Sequence, residues 1–296
     1  MTHAVPLSIE SLVRRLSAVL AVLVLTAGAV AQDAPALDRT TAEAEAVAAS
    51  VDVRTAQLDL DAARREAARV EADPTSLRVA LLRARHEVEA AEDALRNARA
   101  AARDAGADAF EAALQARDGV AVASTALDIA RTEADAARIR LEAGAATEND
   151  VARADDVARS AERDLADAER RFALALDRLA QAIGRDEAPG RLVEPVADPN
   201  VPSLASVLER ATENASLRAA LRAVELAEAQ LAAVDIAFTS ARADVEAAED
   251  AVATARLRAD DLAETLRLSL RQAHDAVLAA DARRVSAEEA LATADE

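Results

Sequence analysis

Apolar side chains alternate at intervals of three and four residues through most of this sequence. The clearest stretch has ten such positions in a row: Val151, Ala154, Ala158, Ala161, Leu165, Ala168, Phe172, Ala175, Leu179 and Ala182. Since about half of all residues are apolar, ten consecutive matches arise by chance roughly once in a thousand registers. Such a narrow stripe is typical of helices that supercoil with a partner helix. The sequence therefore predicts an all-α fold of elongated, antiparallel coiled-coil helical hairpins.

Three further stripes follow the same alternation. They run through residues 77–102, 123–141 and 217–266, and the last has fifteen positions without a miss. We therefore expect one continuous helix through 217–266. Because many stripe positions are Ala, each buries little apolar area, and stability must come from length and from several neighbouring helices.

Composition excludes several classes of protein. The 296 residues include 54 acidic and 35 basic side chains, so the net charge of -19 argues against a nucleic-acid binder. With no Cys there are no disulfides, thiolate metal sites or thiol nucleophiles. His86 and His274 lie far apart without metal-ligand spacing, and the acidic residues are spread along solvated helix faces. We expect no cofactor and no enzymatic activity.

The N-terminal segment has the pattern of an export signal. Arg14 and Arg15 precede an apolar run, and Ala29-Val30-Ala31 provides small residues for cleavage. We therefore expect residues 1–31 to be a signal peptide and the remainder to be exported to the periplasm or the cell outer membrane.

A helical hairpin tip is predicted near residues 142–150. Gly144 suits the left-handed conformation that ends a helix, and Thr147 can cap the next helix, with Asp150 in place of the usual Glu of a capping box. We expect arms of about 35 residues, roughly 50 Å each.

The domain organisation follows from the prolines and from an internal repeat. We assign residues 32–184 to a first helical repeat, 185–202 to a Pro-rich linker without helix, and 203–296 to a second, incomplete repeat. The same seven residues, Val-Glu-Ala-Ala-Glu-Asp-Ala, begin at Val88 and again at Val245. Their offset is 157, whereas the stripe upstream repeats at an offset of 164, which indicates a duplicated helical unit that differs by one heptad.

These motifs resemble the TolC-like outer-membrane efflux family. That family has an Arg shortly before a Gly, a Ser or Thr three residues later, Asp-Val three further, an Ala in the next turn and a closing Leu…Gly. The matching residues here are Arg140, Gly144, Thr147, Asp150, Val151, Ala154, Leu179 and Gly184. The second repeat opens similarly, at Pro202-Ser-Leu and Asn214.

The resemblance implies a homotrimer that forms a periplasmic helical tunnel in an efflux or type I secretion assembly. The hairpin tip would bind a periplasmic adaptor (membrane-fusion) protein and an inner-membrane pump, and Arg140, Gly144, Thr147, Asp150, Val151 and Ala154 would form that partner-binding site.

The sequence departs from that family where the family inserts two β-strands in each repeat. The corresponding regions, 71–82 and 232–250, lack the alternation and the aromatic residues of membrane strands, so we expect these strands to be absent. Two alternatives therefore stay open: a periplasmic structural coiled-coil scaffold without a conduit, and an adaptor-like helical hairpin protein.

Overall fold

The computed structural model describes residues 36–194, 201–236 and 241–294. Within these ranges the chain forms α1 (Arg39–Ala49), α2 (Val51–Ala72), α3 (Arg78–Glu142), α4 (Glu148–Ile183), α5 (Leu204–Glu209), α6 (Ala215–Ile236) and α7 (Arg242–Ala294), with a 3₁₀ turn at Arg210–Glu213. The β structure within these described ranges consists of an isolated bridge between Leu37 and Leu192. The all-α prediction is confirmed for these residues. The predicted signal peptide lies outside them.

The described residues divide into two compact units. The hairpin unit consists of Ala107–Glu194 and the described residues up to Ala42. The inter-repeat unit consists of Glu43–Gly106 and the described residues after Glu194, so it contains parts of both predicted repeats.

Helix α3 is much longer than the predicted hairpin arm. It has 65 residues, or about 98 Å at 1.5 Å per residue, whereas α4 has 36. The stripes at 77–102 and 123–141 therefore belong to one helix, and the expectation of two arms of about 35 residues is wrong for the first arm. Alanine-rich sequence between the stripes keeps the helix continuous because Ala has the highest helix propensity.

The first two long helices of each repeat begin at equivalent positions. Helices α2 and α6 both have 22 residues, and α6 begins and ends 164 residues after α2. The start of α7 likewise lies 164 residues after the start of α3. The caps repeat as well, since the Ser50 hydroxyl accepts a hydrogen bond from the Val53 N–H and the Asn214 side chain accepts one from the Leu217 N–H. The structure therefore contains a duplicated helical unit with an offset of 164, and the seven-residue identity at an offset of 157 lies one heptad out of this structural register.

The stripe at 217–266 is not one helix, which corrects our expectation. Helix α6 ends at Ile236 and α7 begins at Arg242, and the two helices pack against each other in antiparallel orientation. Their register is marked by Arg256, whose Nη2 donates to Glu228 Oε1 at 2.6 Å. A heptad count could not reveal this break, because the apolar spacing keeps its phase across the connection.

The same hairpin geometry occurs in the first repeat with the charges exchanged. Arg64 of α2 donates to Glu92 of α3 at 3.0 Å, and these positions are the counterparts of Glu228 and Arg256. An acid–base pair therefore occupies the same register in both repeats, although each position carries the opposite charge.

The inter-repeat unit places α3 between α2 and α6. On one side α3 contacts α2 through the Arg64–Glu92 pair. On the other side the His86 ring lies 2.9 Å from Glu225 of α6. Helix α6 in turn contacts α7, so the two inner helices of this unit come from different repeats.

The hairpin unit has its own buried core at the end opposite the turn. Phe110, Leu37 and Leu179 are fully buried, with Ile183 and Leu192 also buried. Leu37 N–H donates to the Arg191 carbonyl, and Val193 N–H donates to the Leu37 carbonyl, both at 2.9 Å. Residues after α4 thereby pair with the segment before α1. Described residues 185–194 and 201–203 contain no helix, as the Pro-rich sequence predicts, whereas 195–200 lie outside the described residues.

Candidate docking site at the hairpin tip

The turn between α3 and α4 is closed by backbone hydrogen bonds around Gly144. Gly144 has φ of +75°, and its N–H donates to the Leu141 carbonyl at 2.9 Å. The next N–H, of Ala145, donates to the Arg140 carbonyl at 2.7 Å. These bonds satisfy carbonyls that the end of α3 leaves without helical partners. The predicted left-handed conformation of Gly144 is confirmed.

Thr147 and Asp150 form a reciprocal capping box at the start of α4. The Thr147 hydroxyl oxygen accepts from the Asp150 N–H at 3.3 Å, and Asp150 Oδ2 accepts from the Thr147 N–H at 2.9 Å. The Thr147 hydroxyl also donates to the same carboxylate at 2.7 Å. The predicted capping box is confirmed, with Asp in the position that more often holds Glu.

Hydrogen bonding also fixes the charge of Asp150. The bond from the Thr147 hydroxyl, followed by the bond from the Thr147 N–H, lowers the pKa of this carboxyl below its ordinary value. Burial acts against this lowering of the pKa, and the charge of Arg153 adds to it. The tip therefore carries a fixed negative charge at the N-terminus of α4, where the helix dipole favours it.

A groove of about 550 Å³ lies beside this turn, between the last turns of α3 and the first turns of α4. Its lining residues are Thr132, Glu133, Ala136, Ala137, Arg140, Ala145, Ala146, Asp150 and Ala154. Five of the nine are Ala, so another helix could approach the floor closely. Two carboxylates and one guanidinium provide charged groups that could fix its orientation.

The structure divides the six predicted tip residues into two groups. Arg140, Asp150 and Ala154 line the groove. Gly144, Thr147 and Val151 shape the turn instead, and the Val151 N–H donates the first helical bond of α4, to the Thr147 carbonyl at 3.3 Å. Their role in partner binding stays a prediction.

The α3 side of the groove was missed by sequence reasoning. Thr132, Glu133, Ala136 and Ala137 lie one and two helical turns before Arg140. The available signal was spacing, because residues three, four, seven and eight positions apart share a helix face. The apolar stripe marks packing positions only, so it does not indicate a face that includes Glu133 and Arg140.

The opposite face of the hairpin carries a ladder of ion pairs. Arg131 donates to Glu162 at 2.9 Å, and Arg138 donates to Asp155 at 2.5 Å, both between α3 and α4. These pairs connect positions of the same antiparallel register, so they hold the two arms in alignment. The hairpin therefore presents one charged face and one Ala-lined face.

Other chemistry is scarce in the described residues. The acidic and histidine side chains at 36–194, 201–236 and 241–294 form no cluster that could hold a metal ion. His86 is buried in the α3–α6 contact rather than lying at a surface, and the His274 ring nitrogen lies 3.2 Å from the Pro202 carbonyl. None of the helices in these ranges is long and apolar enough to cross a bilayer.

Asp93 corrects the expectation that the carboxylates lie on solvated faces. Its side chain is buried and contacts Arg222 at 2.8 Å, with Arg96 and Arg218 also paired to it. Burial raises the pKa of Asp93, but hydrogen bonds from Arg222 and Arg96 and the charges of Arg218 and Arg222 outweigh it and lower the pKa overall. This carboxylate joins the two repeats.

The helical arrangement is shared with solved membrane-protein structures. A comparison of the sequence with known protein families gives no match, and a comparison with curated proteins gives none. A crystal structure of CusC, studied for conformational changes accompanying folding and transmembrane channel formation, aligns with a TM-score of 0.62 at 15% identity. The alignment covers 86% of this chain and 77% of CusC. The chain has a TolC-like fold.

A second similar structure is a membrane protein from Pseudomonas aeruginosa. It aligns with a TM-score of 0.64 at 18% identity, covering 86% of this chain and 79% of that protein. The TolC-like fold therefore extends over most of the chain, and the Ala-lined groove lies at the turn of its longest helical hairpin.

Proposed function

We propose that this protein is an envelope component of an efflux or type I secretion assembly and forms part of a periplasmic helical tunnel. The observation that carries the proposal is the similarity to CusC over 86% of the chain, since that structure was studied for transmembrane channel formation. The active form in this proposal is a homotrimer at the cell outer membrane or in the periplasm.

The hairpin tip supports a docking role within that assembly. Its turn is fixed by Gly144 and by the Thr147–Asp150 capping box, so the groove beside it has a defined shape. A helical segment of a periplasmic adaptor protein would pack on the Ala floor and pair with Arg140 and with the carboxylates of Glu133 and Asp150. The adaptor would connect the tunnel to an inner-membrane pump.

Filling the groove tests this function. Ala154 lines the groove, whereas Ala152, two residues earlier in the same helical turn, is exposed and lies outside it. We expect Ala154→Trp to abolish export of a toxic compound by a strain that depends on this protein, because the indole would occupy the space for the adaptor helix. Ala152→Trp should preserve export.

The readout is the lowest concentration of the compound that stops growth, with protein abundance and melting temperature measured for both variants. Unchanged resistance in Ala154→Trp would contradict docking in the groove. A strain whose resistance does not depend on the wild-type gene for any tested compound would contradict the export function itself.

A further inference from the structure

Four charged side chains meet where α3 of the first repeat packs against α6 of the second. Asp93 accepts hydrogen bonds from Arg96, Arg218 and Arg222. Arg96 and Arg218 donate to the same carboxylate oxygen, Oδ1, whereas Arg222 donates to Oδ2 at 2.8 Å. We call Asp93 and these three arginines the arginine cluster.

The arginine cluster carries more positive than negative charge, because three guanidinium groups surround a single carboxylate. Glu89 lies 4.0 Å from Arg222, but it also accepts a hydrogen bond from Arg85 at 2.9 Å. Glu89 therefore does not restore the balance of charge. Like charges held this close repel one another in a partly buried setting, and an additional anion would relieve that repulsion.

Arg218 also has a buried donor without an acceptor. Its Nη2 donates to Asp93, but its Nε–H is buried and has no hydrogen-bond partner within residues 36–194, 201–236 and 241–294. Folded proteins seldom leave a buried donor unsatisfied unless an ion or a water serves it. Arg218 lies in the first turn of α6, where the helix dipole adds positive potential and which contains no acidic residue.

The arginine cluster is open to solvent on one side. The Arg96 and Arg218 side chains are 51% and 32% exposed, whereas those of Arg222 and Asp93 are 13% and 5% exposed. The buried pair forms the base of the cluster, and the two more exposed guanidinium groups form its rim. Each rim guanidinium has five N–H donors and uses one of them on Asp93, so most rim donors are available to a ligand.

We propose that the rim of the arginine cluster binds a phosphate group. A tetrahedral oxyanion has the charge and the oxygen spacing that guanidinium forks recognise through paired hydrogen bonds. One phosphate accepts from Arg96 and Arg218 together, and a small rotation of the Arg218 guanidinium brings its Nε–H to the same ligand. The ligand then bridges α3 of the first repeat and α6 of the second. The inference goes beyond the proposed function, since it concerns a ligand that joins the two repeats of one chain.

Thermal melting of the purified protein in phosphate tests this site. We expect about 50 mM phosphate to raise the melting temperature by about 3 °C or more over chloride at the same ionic strength, because a ligand of the folded state stabilises it. Arg96→Gln should lose most of this increase. Arg99→Gln, at an exposed position one turn later on α3, should keep it. Phosphate also stabilises proteins in general through exclusion from their surface, so an equal increase in all three proteins would overturn the proposal.

Arg218→Lys separates ligand binding from ion pairing. Lys keeps a positive charge beside Asp93 but lacks the planar fork of N–H donors. We expect this variant to melt close to the wild type in chloride and to bind phosphate about tenfold more weakly in a phosphorus NMR titration. A wild-type protein that binds no phosphate, or an Arg218→Lys variant with unchanged affinity, would overturn the proposal. The arginine cluster would then be an ion-pair network only.

Vesicle flotation distinguishes free phosphate from a lipid headgroup as the source of the phosphate group. The probes are vesicles that contain phosphatidic acid and vesicles of phosphatidylcholine alone. Capture by phosphatidic acid that Arg96→Gln abolishes and Arg99→Gln preserves would support the site with a lipid headgroup as its ligand. Phosphate binding in the NMR titration without vesicle capture would support it with the free ion. Neither capture nor phosphate binding would overturn the proposal.

Discussion

Gly144 shows how one residue determines the hairpin turn. Its φ of +75° is a conformation that L side chains rarely adopt, yet no atom lies within 4 Å of the position that a Cβ would occupy. The need for glycine here is therefore conformational rather than steric. This explains why sequence reasoning could identify it, since a Gly between two helical stripes is a local signal.

Two Gly→Ala substitutions should have opposite effects. Gly144→Ala should destabilise the protein by about 1–2 kcal/mol, because Ala is strained at positive φ. Gly119→Ala should stabilise it by up to about 1 kcal/mol, because Gly119 lies within α3 with open space around it. Chemical denaturation followed by circular dichroism measures both, and an unchanged or increased stability of Gly144→Ala would contradict the assigned turn.

Asp150 gives a prediction about pH. Its pKa is lowered in the folded protein, so its contribution to stability is present above the carboxyl pKa of the unfolded chain, about 3.9, and is lost as pH falls through the lower folded value. The difference in melting temperature between the wild type and Asp150→Asn should be constant from about pH 5 to 7. It should disappear in more acidic buffer. A difference that persists unchanged in acid would show that the charge of Asp150 does not matter.

At the scale of helices, the α3–α6 contact depends on Asp93. This buried carboxylate is surrounded by Arg96, Arg218 and Arg222. Sequence periodicity could not identify it, because its burial depends on which helix of the other repeat lies beside α3. The local pattern around Asp93 is the same acidic and basic spacing found on the exposed faces.

Asp93→Asn should lower the free energy of unfolding by about 2–4 kcal/mol, because the three guanidinium groups would lose their buried counterion. Asp104→Asn, at an exposed position on the same helix, should change it by less than about 0.5 kcal/mol. Urea denaturation of both variants tests this difference. Equal stability of the two variants would contradict a structural role for Asp93.

The breaks between the long helices of the two repeats differ in how clearly the sequence marks them. Asp73-Pro74 lies at the break between α2 and α3, because Pro restricts the helix around it. The break between α6 and α7 has no Pro or Gly, and the apolar spacing continues through it. With the offset of 164, this break is the counterpart of residues 73–77, so the repeat indicates it although the apolar stripe does not.

At the scale of the whole molecule, the proposed function depends on assembly. A single chain provides one hairpin with an Ala-lined groove. A tunnel requires several copies around a common axis. The tunnel proposal therefore requires a trimer at the outer membrane or in the periplasm. A scaffold without a conduit, in contrast, could act as a soluble monomer or dimer.

The most direct test is the mass of the native particle after cell fractionation, with chemical crosslinking of each fraction before extraction. The tunnel requires a particle of three 30.9 kDa chains, less any cleaved signal peptide, in the outer-membrane fraction. A soluble periplasmic monomer or dimer would contradict it and would favour a structural coiled-coil scaffold with a TolC-like fold but no conduit.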